Sequence, residues 1–147
     1  MTPRLTIING PNLNLLGTRE PQIYGLTTLA EIEATCRVKA AALSLSLAFH
    51  QSNHEGVLVD LIQAAITEAD AIIINPAAYS FTSVALIDAL KVFPGPIIEL
   101  HISNIHARDE LHRHSITSSA ATAVICGLGP FGYVAAMQAA AELLRTR

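Results

Sequence analysis

Short apolar runs alternate along this chain with longer segments of helical periodicity, which is the pattern of a fold of alternating strands and helices. The apolar runs are rich in Ile, Leu and Val. They predict five strands, over residues 5–9, 47–51, 71–75, 97–102 and 121–126. Apolar residues at helical spacing predict helices over residues 29–47, from about residue 54, over 83–92 and over 131–144.

The predicted strands are mostly apolar throughout and do not alternate with polar residues, which indicates a sheet buried on both faces. Helices between them provide the crossovers that parallel strands need. We therefore expect an α/β fold, a flavodoxin-like three-layer sandwich around a five-stranded parallel sheet. A length of 147 residues suits one domain, so we expect a single catalytic domain over residues 1–147.

Polar residues follow four of the five predicted strands. In an open parallel sheet, ligands bind beyond the carboxyl ends of the strands, near the point where the strand order reverses. Each asparagine has a local alternative role in a turn or helix cap, but the repetition at four strand ends predicts a binding site. The four segments are NGPN at 9–12, QSNH at 51–54, NP at 75–76 and HISN at 101–104.

Composition excludes several classes of protein. With 51% hydrophobic and 14% charged residues, the chain is not intrinsically disordered. Its net charge of −3 and its scattered basic residues argue against nucleic-acid binding. Because so few charges are available for the surface, we expect part of that surface to be buried in a homo-oligomer.

The sequence gives no indication of a membrane segment or of export. The first apolar stretch is too short for a signal peptide, so we expect a cytoplasmic protein. Residues 115–141 carry no charge, but Ser, Gly and Pro divide them into a strand, a turn and a helix. Cys36 and Cys126 fall in a helical pattern and an apolar strand, and both are expected to be buried, reduced thiols.

Residues 127–132 read GLGPFG and match the G-x-G-x-x-G pattern of dinucleotide-binding loops. The segment opens the last predicted helix, however, and neither a further strand nor an acidic residue for a ribose follows it. Pro130 also lacks the amide that such a loop offers to phosphate. We interpret the segment as a tight turn between a strand and a helix, and we expect no cofactor.

His101, His106, His112 and His114 lie within fourteen residues, near two acidic side chains. Imidazole groups suit zinc and other transition metals. Their spacing matches no closed zinc pattern, and neither cysteine is near them in sequence. We therefore expect no metal site.

Two pairs of residues suggest acid–base chemistry. Arg19 and Tyr24 lie in a loop over residues 17–25 that is long for a strand-to-helix connection, and a tyrosine near a cation can act as a base. Glu99 and His101 are two apart, so they share one face of a strand, and a carboxylate beside an imidazole suits a general acid. Packing of Tyr24 beside a solvated Arg19, and an ordinary Glu–His hydrogen bond, remain the alternatives.

The motifs in order along the chain closely resemble those of the type II 3-dehydroquinate dehydratases. The most specific block is NGPNLNLLGTREP at 9–21 with IYG at 23–25. The resemblance covers nearly the whole chain. It continues through QSNHEG at 51–56, NP at 75–76, TSVAL at 82–86, Asp88, ELHISN at 99–104, GLG at 127–129 and GY at 132–133.

This resemblance implies reversible anti elimination of water from 3-dehydroquinate, through an enolate, to give 3-dehydroshikimate, with no metal or cofactor. The reaction belongs to the shikimate pathway or to quinate catabolism. By the same resemblance, Tyr24 as tyrosinate takes a proton from C2, and Arg19 lowers the pKa of Tyr24. Asn12 holds a water against the enolate oxygen, and His101, oriented by Glu99, protonates the departing C1 hydroxyl.

The resemblance also assigns substrate-binding residues and an assembly. Asn75 and the Ile102-Ser103 segment hold the substrate, and Asp88 reaches its ring hydroxyls from a neighbouring subunit. The family forms dodecamers of four trimers, which agrees with a charge-poor surface.

Three positions depart from the pattern of the family. Ala77 replaces a usual glycine, Phe81 stands where a substrate-contacting histidine is usual, and His112 stands where an arginine is usual, with Arg113 beside it. The catalytic set is intact, so we expect the loss to fall on substrate affinity. A non-catalytic small-molecule-binding protein of the same fold is the alternative, followed by a redox flavodoxin.

Overall fold

The computed structural model describes residues 1–18 and 20–147. A parallel sheet has the strand order β2-β1-β3-β4-β5, which is the flavodoxin-like order and confirms the predicted fold class. The strands are β1 (Arg4–Asn9), β2 (Ser46–Gln51), β3 (Ala71–Asn75), β4 (Ile97–His101) and β5 (Ala123–Cys126). The α-helices are α1 (Pro21–Tyr24), α2 (Leu29–Ala42), α3 (Glu55–Glu68), α4 (Val84–Val92) and α5 (Phe131–Arg145).

Apolar side chains are buried on both faces of the sheet, as the continuous apolar strands predict. Consecutive strand residues point to opposite faces, so Ile73 packs in the cluster with α2 and α5, whereas Ile72 and Ile74 pack in the cluster with α3 and α4. Each fully buried isoleucine stabilises the fold by about 1.5–3 kcal/mol relative to an exposed one. The helices therefore form the two outer layers of a three-layer sandwich.

The predicted helix over 29–47 is too long. It ends at Ala42, and the amide of Leu45 donates to the carbonyl of Ala40 at 2.8 Å while Ser44 has a φ of 56°. This closing turn satisfies helix carbonyls and sends the chain into β2, which begins at Ser46. The apolar periodicity continues through the turn, so it could not mark the boundary.

Smaller differences occur elsewhere. β4 ends at His101 and not at 102, and β5 begins at Ala123 and not at 121. Just before β5, the side chain of Thr122 accepts from the amide of Ile97 at 3.0 Å. The loop over 17–25 contains the short helix α1.

The carboxyl ends of β1 and β3 are packed together by a glycine. A Cβ at Gly10 would lie 2.4 Å from the carbonyl oxygen of Pro76, so no other residue fits there without a shift of the backbone. The amide of Gly10 donates to the carbonyl of Asn75 at 2.8 Å. This contact holds the segment after β1 against the turn after β3, where the cleft described below is located.

Cys36 is fully buried, and burial raises the pKa of its thiol to about 11, which keeps the thiol protonated. Cys126 is only partly buried, so the prediction that both thiols are buried is wrong for this residue. Every helix in the described part of the chain is too short or too polar to cross a membrane.

Candidate active site

A cleft at the carboxyl ends of β1, β3 and β4 holds about 480 Å³ of empty space, including the part open to solvent. Eight residues of the predicted site line it: Asn12, Tyr24, Asn75, Phe81, His101, Ile102, Ser103 and His112. The other lining residues are Pro11, Leu13, Ala77, Ala78, Ile105 and Arg108, and none of them is among the predicted catalytic or substrate-binding residues.

Tyr24 is the last residue of α1, and its hydroxyl is paired with a cation. Arg108 donates from Nη1 to Tyr24 Oη at 2.9 Å, and its Cζ lies 5.5 Å from the centre of the ring. A charge-assisted hydrogen bond of this kind stabilises negative charge on the phenolic oxygen. The geometry therefore suits a tyrosinate base.

Arg108 is the main residue that the sequence interpretation missed. It lies 84 positions from Tyr24, inside the segment that was considered for a metal, and no local spacing connects the two. Arg19, to which the resemblance gives the corresponding role, lies outside the described residues. Its role stays a prediction.

Arg113 holds the loop that carries Arg108 and is not a lining residue of the cleft. Its guanidinium donates to the carbonyl oxygen of Arg108 at 3.1 Å from Nε and 2.6 Å from Nη2. Since these donors are committed to the backbone, Arg113 does not replace the arginine that is usual at position 112.

His101 and Glu99 form a buried pair on one face of β4, as their spacing predicts. Nε2 of His101 lies 2.8 Å from Oε2 of Glu99, and the two residues are 4% and 1% exposed. Because Nε2 is committed to the carboxylate, Nδ1 is the ring nitrogen left for exchange with a ligand. A carboxylate-backed imidazole of this kind can serve as a general acid.

Burial raises the pKa of Glu99, but hydrogen bonds from His101, Ser118 and Thr117 outweigh it, and the pKa falls below its usual value. Ser115 also donates to Oε2, at 2.8 Å. The sequence interpretation did not single out these hydroxyl groups. Serines and threonines are common in loops, so their presence at 115–119 was no signal.

Asn75 is held from behind the cleft by α5. Its Nδ2 donates to Tyr133 Oη at 3.1 Å, its Oδ1 accepts from the amide of Ala77 at 3.2 Å, and Tyr133 Oη donates to Asn9 Oδ1 at 2.6 Å. These contacts fix which side of the amide donates. One N–H of Asn75 remains to donate to a ligand oxygen.

Phe81 places an apolar ring beside two histidines in the cleft. Its ring stacks against His101 with centroids 6.5 Å apart and meets the edge of His112 at 5.6 Å. Nδ1 of His112 lies 2.7 Å from Oδ1 of Asp109. This contact lowers the pKa of Asp109.

Asp88 lies outside the cleft. It is an exposed residue of α4 and lines a surface groove between α3 and α4 with Gln63 and apolar neighbours such as Val59 and Val92. Its predicted role in the site of a neighbouring subunit stays a prediction.

The two segments considered for a cofactor and a metal have other contacts. The amides of Gly127 and Gly129 donate to the carbonyls of His101 and Ile102 at 3.3 and 3.0 Å, so they close the end of β4. His112 and His114 pair with different carboxylates, those of Asp109 and Glu110. In the described ranges, no three His, Cys, Asp or Glu residues converge on one point as metal ligands would.

A parallel α/β sandwich with a cation-paired tyrosine and a carboxylate-backed histidine on one cleft defines an enzyme of acid–base catalysis. Residues 3–141 match the model of the family "Dehydroquinase class II". The chain belongs to the type II dehydroquinase family.

Individual relatives agree with this assignment. A protein of Verticillium alfalfae named catabolic 3-dehydroquinase is 54% identical over 147 residues, covering 100% of this chain and 98% of its own. A 3-dehydroquinate dehydratase of Dinoroseobacter shibae is 56% identical over 90% of this chain and 89% of its own. The crystal structure of type II dehydroquinase from Propionibacterium acnes superposes with a TM-score of 0.93 at 40% identity, covering 97% of this chain and 98% of that one.

Proposed function

We propose that the chain catalyses the reversible elimination of water from 3-dehydroquinate to give 3-dehydroshikimate. Family membership and the names of the relatives support this reaction. The observation that carries the mechanism is that one cleft is lined by Tyr24 with its cationic partner Arg108 and by His101 with its carboxylate partner Glu99. An elimination needs one group to take a proton and one to give a proton, and the cleft provides both.

In the first step, Tyr24 as tyrosinate takes a proton from C2 of the substrate. The C–H electron pair moves into the bond between C2 and C3, and the negative charge collects on the carbonyl oxygen as an enolate. Arg108, 2.9 Å from Tyr24 Oη, stabilises the negative charge of the base before the transfer. Asn12 holds a water against the enolate oxygen, and donors placed where charge develops lower the barrier.

In the second step, the enolate reforms the ketone, the C2–C3 electron pair moves into the bond between C1 and C2, and the C1–O bond breaks with its electron pair leaving on oxygen. His101 gives a proton to the departing hydroxyl, which leaves as water, and Glu99 stabilises the imidazolium before the transfer. Asn75, with one N–H left to donate, and the Ile102-Ser103 segment hold the substrate. The substrate oxygen that meets Asn75 must be an acceptor, which suits a carboxylate.

We propose further that residues 1–147 are one catalytic domain, that the protein is cytoplasmic, and that it assembles into a dodecamer of four trimers. The exposed position of Asp88 beside an apolar groove supports contact with a neighbouring copy. Proteins named as catabolic 3-dehydroquinase and as 3-dehydroquinate dehydratase match at 54% and 56% identity, and the proposed reaction is the one that both names describe. The structure offers no observation that favours a non-catalytic binding protein.

The Tyr24→Phe variant tests the mechanism directly. It keeps the ring packing and removes the base, so kcat for 3-dehydroquinate falls at least about a thousandfold, as expected for a lost general base and its orientation. The conjugated double bond of the product gives an absorbance assay.

Binding of a substrate analogue to the Tyr24→Phe variant, measured by calorimetry, should remain close to that of the unmodified protein. Tyr79→Phe is the control, because Tyr79 does not line the cleft and its hydroxyl donates to the carbonyl of Asn53, and it should retain most of kcat. If Tyr24→Phe keeps more than about a tenth of kcat, Tyr24 is not the base.

A further inference from the structure

Three hydroxyl groups surround the carboxylate of Glu99 on the side away from the cleft. Ser115 and Ser118 donate to Oε2 at 2.8 and 2.5 Å, and Thr117 donates to Oε1. With His101 on Oε2, the carboxylate accepts four hydrogen bonds although it is 1% exposed. We call Ser115, Thr117 and Ser118 the hydroxyl cradle.

Three of these four donors are hydroxyl groups, and their hydrogen bonds go to the carboxylate and not to the imidazole. A buried carboxylate takes up a proton unless donors compensate for its lost hydration. A hydroxyl that donates to the carboxylate stabilises the ionised form more than the protonated form, because hydrogen bonds to a charged acceptor are the stronger ones. The arrangement therefore selects the charged state of Glu99.

The segment that carries the cradle is fixed at both of its ends. The amide of Ile116 donates to the carbonyl of Ser80 at 2.7 Å, and the amide of Thr122 donates to the carbonyl of Ile97 at 2.7 Å. Thr117 is fully buried in the short turn Thr117–Ala120. Because the backbone is held, the hydroxyls are in place before any ligand binds.

His101 is the titratable residue in direct contact with the Glu99 carboxylate among the residues that the structure describes. On the neighbouring strands, β3 pairs Ile74 with Glu99 and β5 pairs Val124 with it. The 3₁₀ turn Ala77–Phe81 brings an apolar ring, that of Phe81, against His101. The charge of Glu99 thus depends on His101 and on the cradle.

We propose that Ser115, Thr117 and Ser118 are positioning residues that keep Glu99 ionised, so that His101 is held in orientation and carries the proton that it transfers. This inference rests on the proposed function of His101 as the general acid. None of the three hydroxyls lines the cleft, so they act through Glu99 and not on the substrate. Loss of a donor raises the pKa of Glu99, and the carboxylate then takes up its proton at a higher pH.

The test compares Thr117→Val, which is nearly isosteric but has no hydroxyl, with Thr117→Ser, which restores it. Ser118→Ala and Ser115→Ala are independent variants, since a buried Thr117 could affect folding. Ser119→Ala is the matched control, because Ser119 donates to the carbonyl of Ile116 and not to Glu99. The Glu99 carboxyl is titrated by ¹³C NMR, assigned through Glu99→Gln, and kcat is measured against pH.

In Thr117→Val the midpoint of the Glu99 titration rises by about one pH unit, which is tenfold in its protonation equilibrium. The midpoint of the acid limb of the kcat profile moves to higher pH by a similar amount, and kcat on the pH plateau changes little. Ser118→Ala shifts both in the same direction, and Thr117→Ser returns both toward the original values. Ser119→Ala leaves both unchanged.

A Glu99 titration that is the same in all the hydroxyl variants would overturn the proposal, whatever the loss of thermal stability. If the midpoint of the Glu99 titration moves to higher pH while the acid limb of the kcat profile stays at the same pH, the result would instead contradict the proposed function of His101 and Glu99. The two failures are distinguishable because the NMR titration needs no turnover.

Discussion

At the scale of single residues, each reactive side chain of the cleft is held by a hydrogen bond to a neighbouring side chain. Arg108 donates a hydrogen bond to Tyr24, Glu99 pairs with the ring of His101, and Tyr133 fixes the amide of Asn75. Each of these contacts is at least partly shielded from solvent. We therefore expect each to stabilise its reactive side chain by more than the few tenths of a kcal/mol typical of an exposed ion pair.

Phe81 and His112 give a prediction about affinity. Phe81 offers no hydrogen bond to a ring hydroxyl, and His112 is engaged by Asp109. Phe81→His together with His112→Arg should lower KM for 3-dehydroquinate by about tenfold for each restored contact of roughly 1.4 kcal/mol. kcat should stay nearly unchanged, because these contacts form in ground and transition states alike.

Steady-state kinetics on the parent, both single variants and the double variant check this prediction. The two sites touch, so their effects need not add. An unchanged KM in the double variant would show that the departures are harmless. A large rise in kcat would show that the Phe81 ring, stacked on His101, disturbs the general acid itself.

At the scale of elements, the turn between β3 and α4 carries local strain. Ala77 begins this 3₁₀ turn, Ala77–Phe81, with a φ of 53°, in the left-handed region that favours glycine. Its amide donates to the side chain of Asn75, so the strained conformation also orients a residue of the cleft. An alanine at this position, where the family usually has glycine, is therefore strained in its backbone.

Ala77→Gly should raise the free energy of unfolding by about 1 kcal/mol, because glycine adopts this φ without a steric penalty. For a chain of this size the melting temperature should rise by about 2–4 °C. Differential scanning calorimetry measures the shift. Ala78→Gly is the control, since Ala78 does not have a positive φ, and it should lower the melting temperature. A lower value for Ala77→Gly would mean that packing of its Cβ outweighs the strain.

At the scale of the whole molecule, apolar surface remains exposed on α4. Val84 and Val92 are 60% and 64% exposed, and Asp88 lies between them on the same helix. In the proposed assembly, a neighbouring copy would cover these side chains, and the role predicted for Asp88 requires the cleft of that copy to lie beside them. The proposed assembly is thus linked to the completeness of the substrate site.

Complementation between two variants tests whether Asp88 acts across subunits. Asp88→Ala should raise KM by about tenfold, as for one lost contact of roughly 1.4 kcal/mol. When Asp88→Ala and Tyr24→Phe chains are co-assembled in equal amounts, about a quarter of the sites should combine an intact Tyr24 with an intact Asp88 of a neighbour. Kinetics of the mixture should then show a component with the parental KM.

Sedimentation measurements should give multiples of three chains for each variant. If no component with the parental KM appears in co-assembled chains, Asp88 does not complete a neighbouring site. Mixing after separate assembly, without exchange of subunits, provides the control.

The sequence alone determined the layers of the fold, the edge of the sheet that holds the site and the Glu99–His101 pair. These features depend on short-range periodicity: Ile72, Ile73 and Ile74 indicate burial on both faces, and a spacing of two places side chains on one face of a strand. Family motifs added the reaction and the roles expected of Tyr24 and Asn12. The sequence does not mark the end of α2, because apolar spacing continues through the closing turn at Ser44.

Only the tertiary structure decided which distant groups meet. Arg108 contacts Tyr24 across 84 positions, and Thr117 and Ser118 contact Glu99 across 18 and 19. Asp88 faces away from the cleft of its own chain. Such contacts depend on how irregular segments fold over the sheet edge, and irregular segments have no repeating pattern of apolar residues to reveal their path. The reactive residues and the carboxylate of Glu99 could therefore be read from the sequence, but Arg108 and the hydroxyl groups around Glu99 could not.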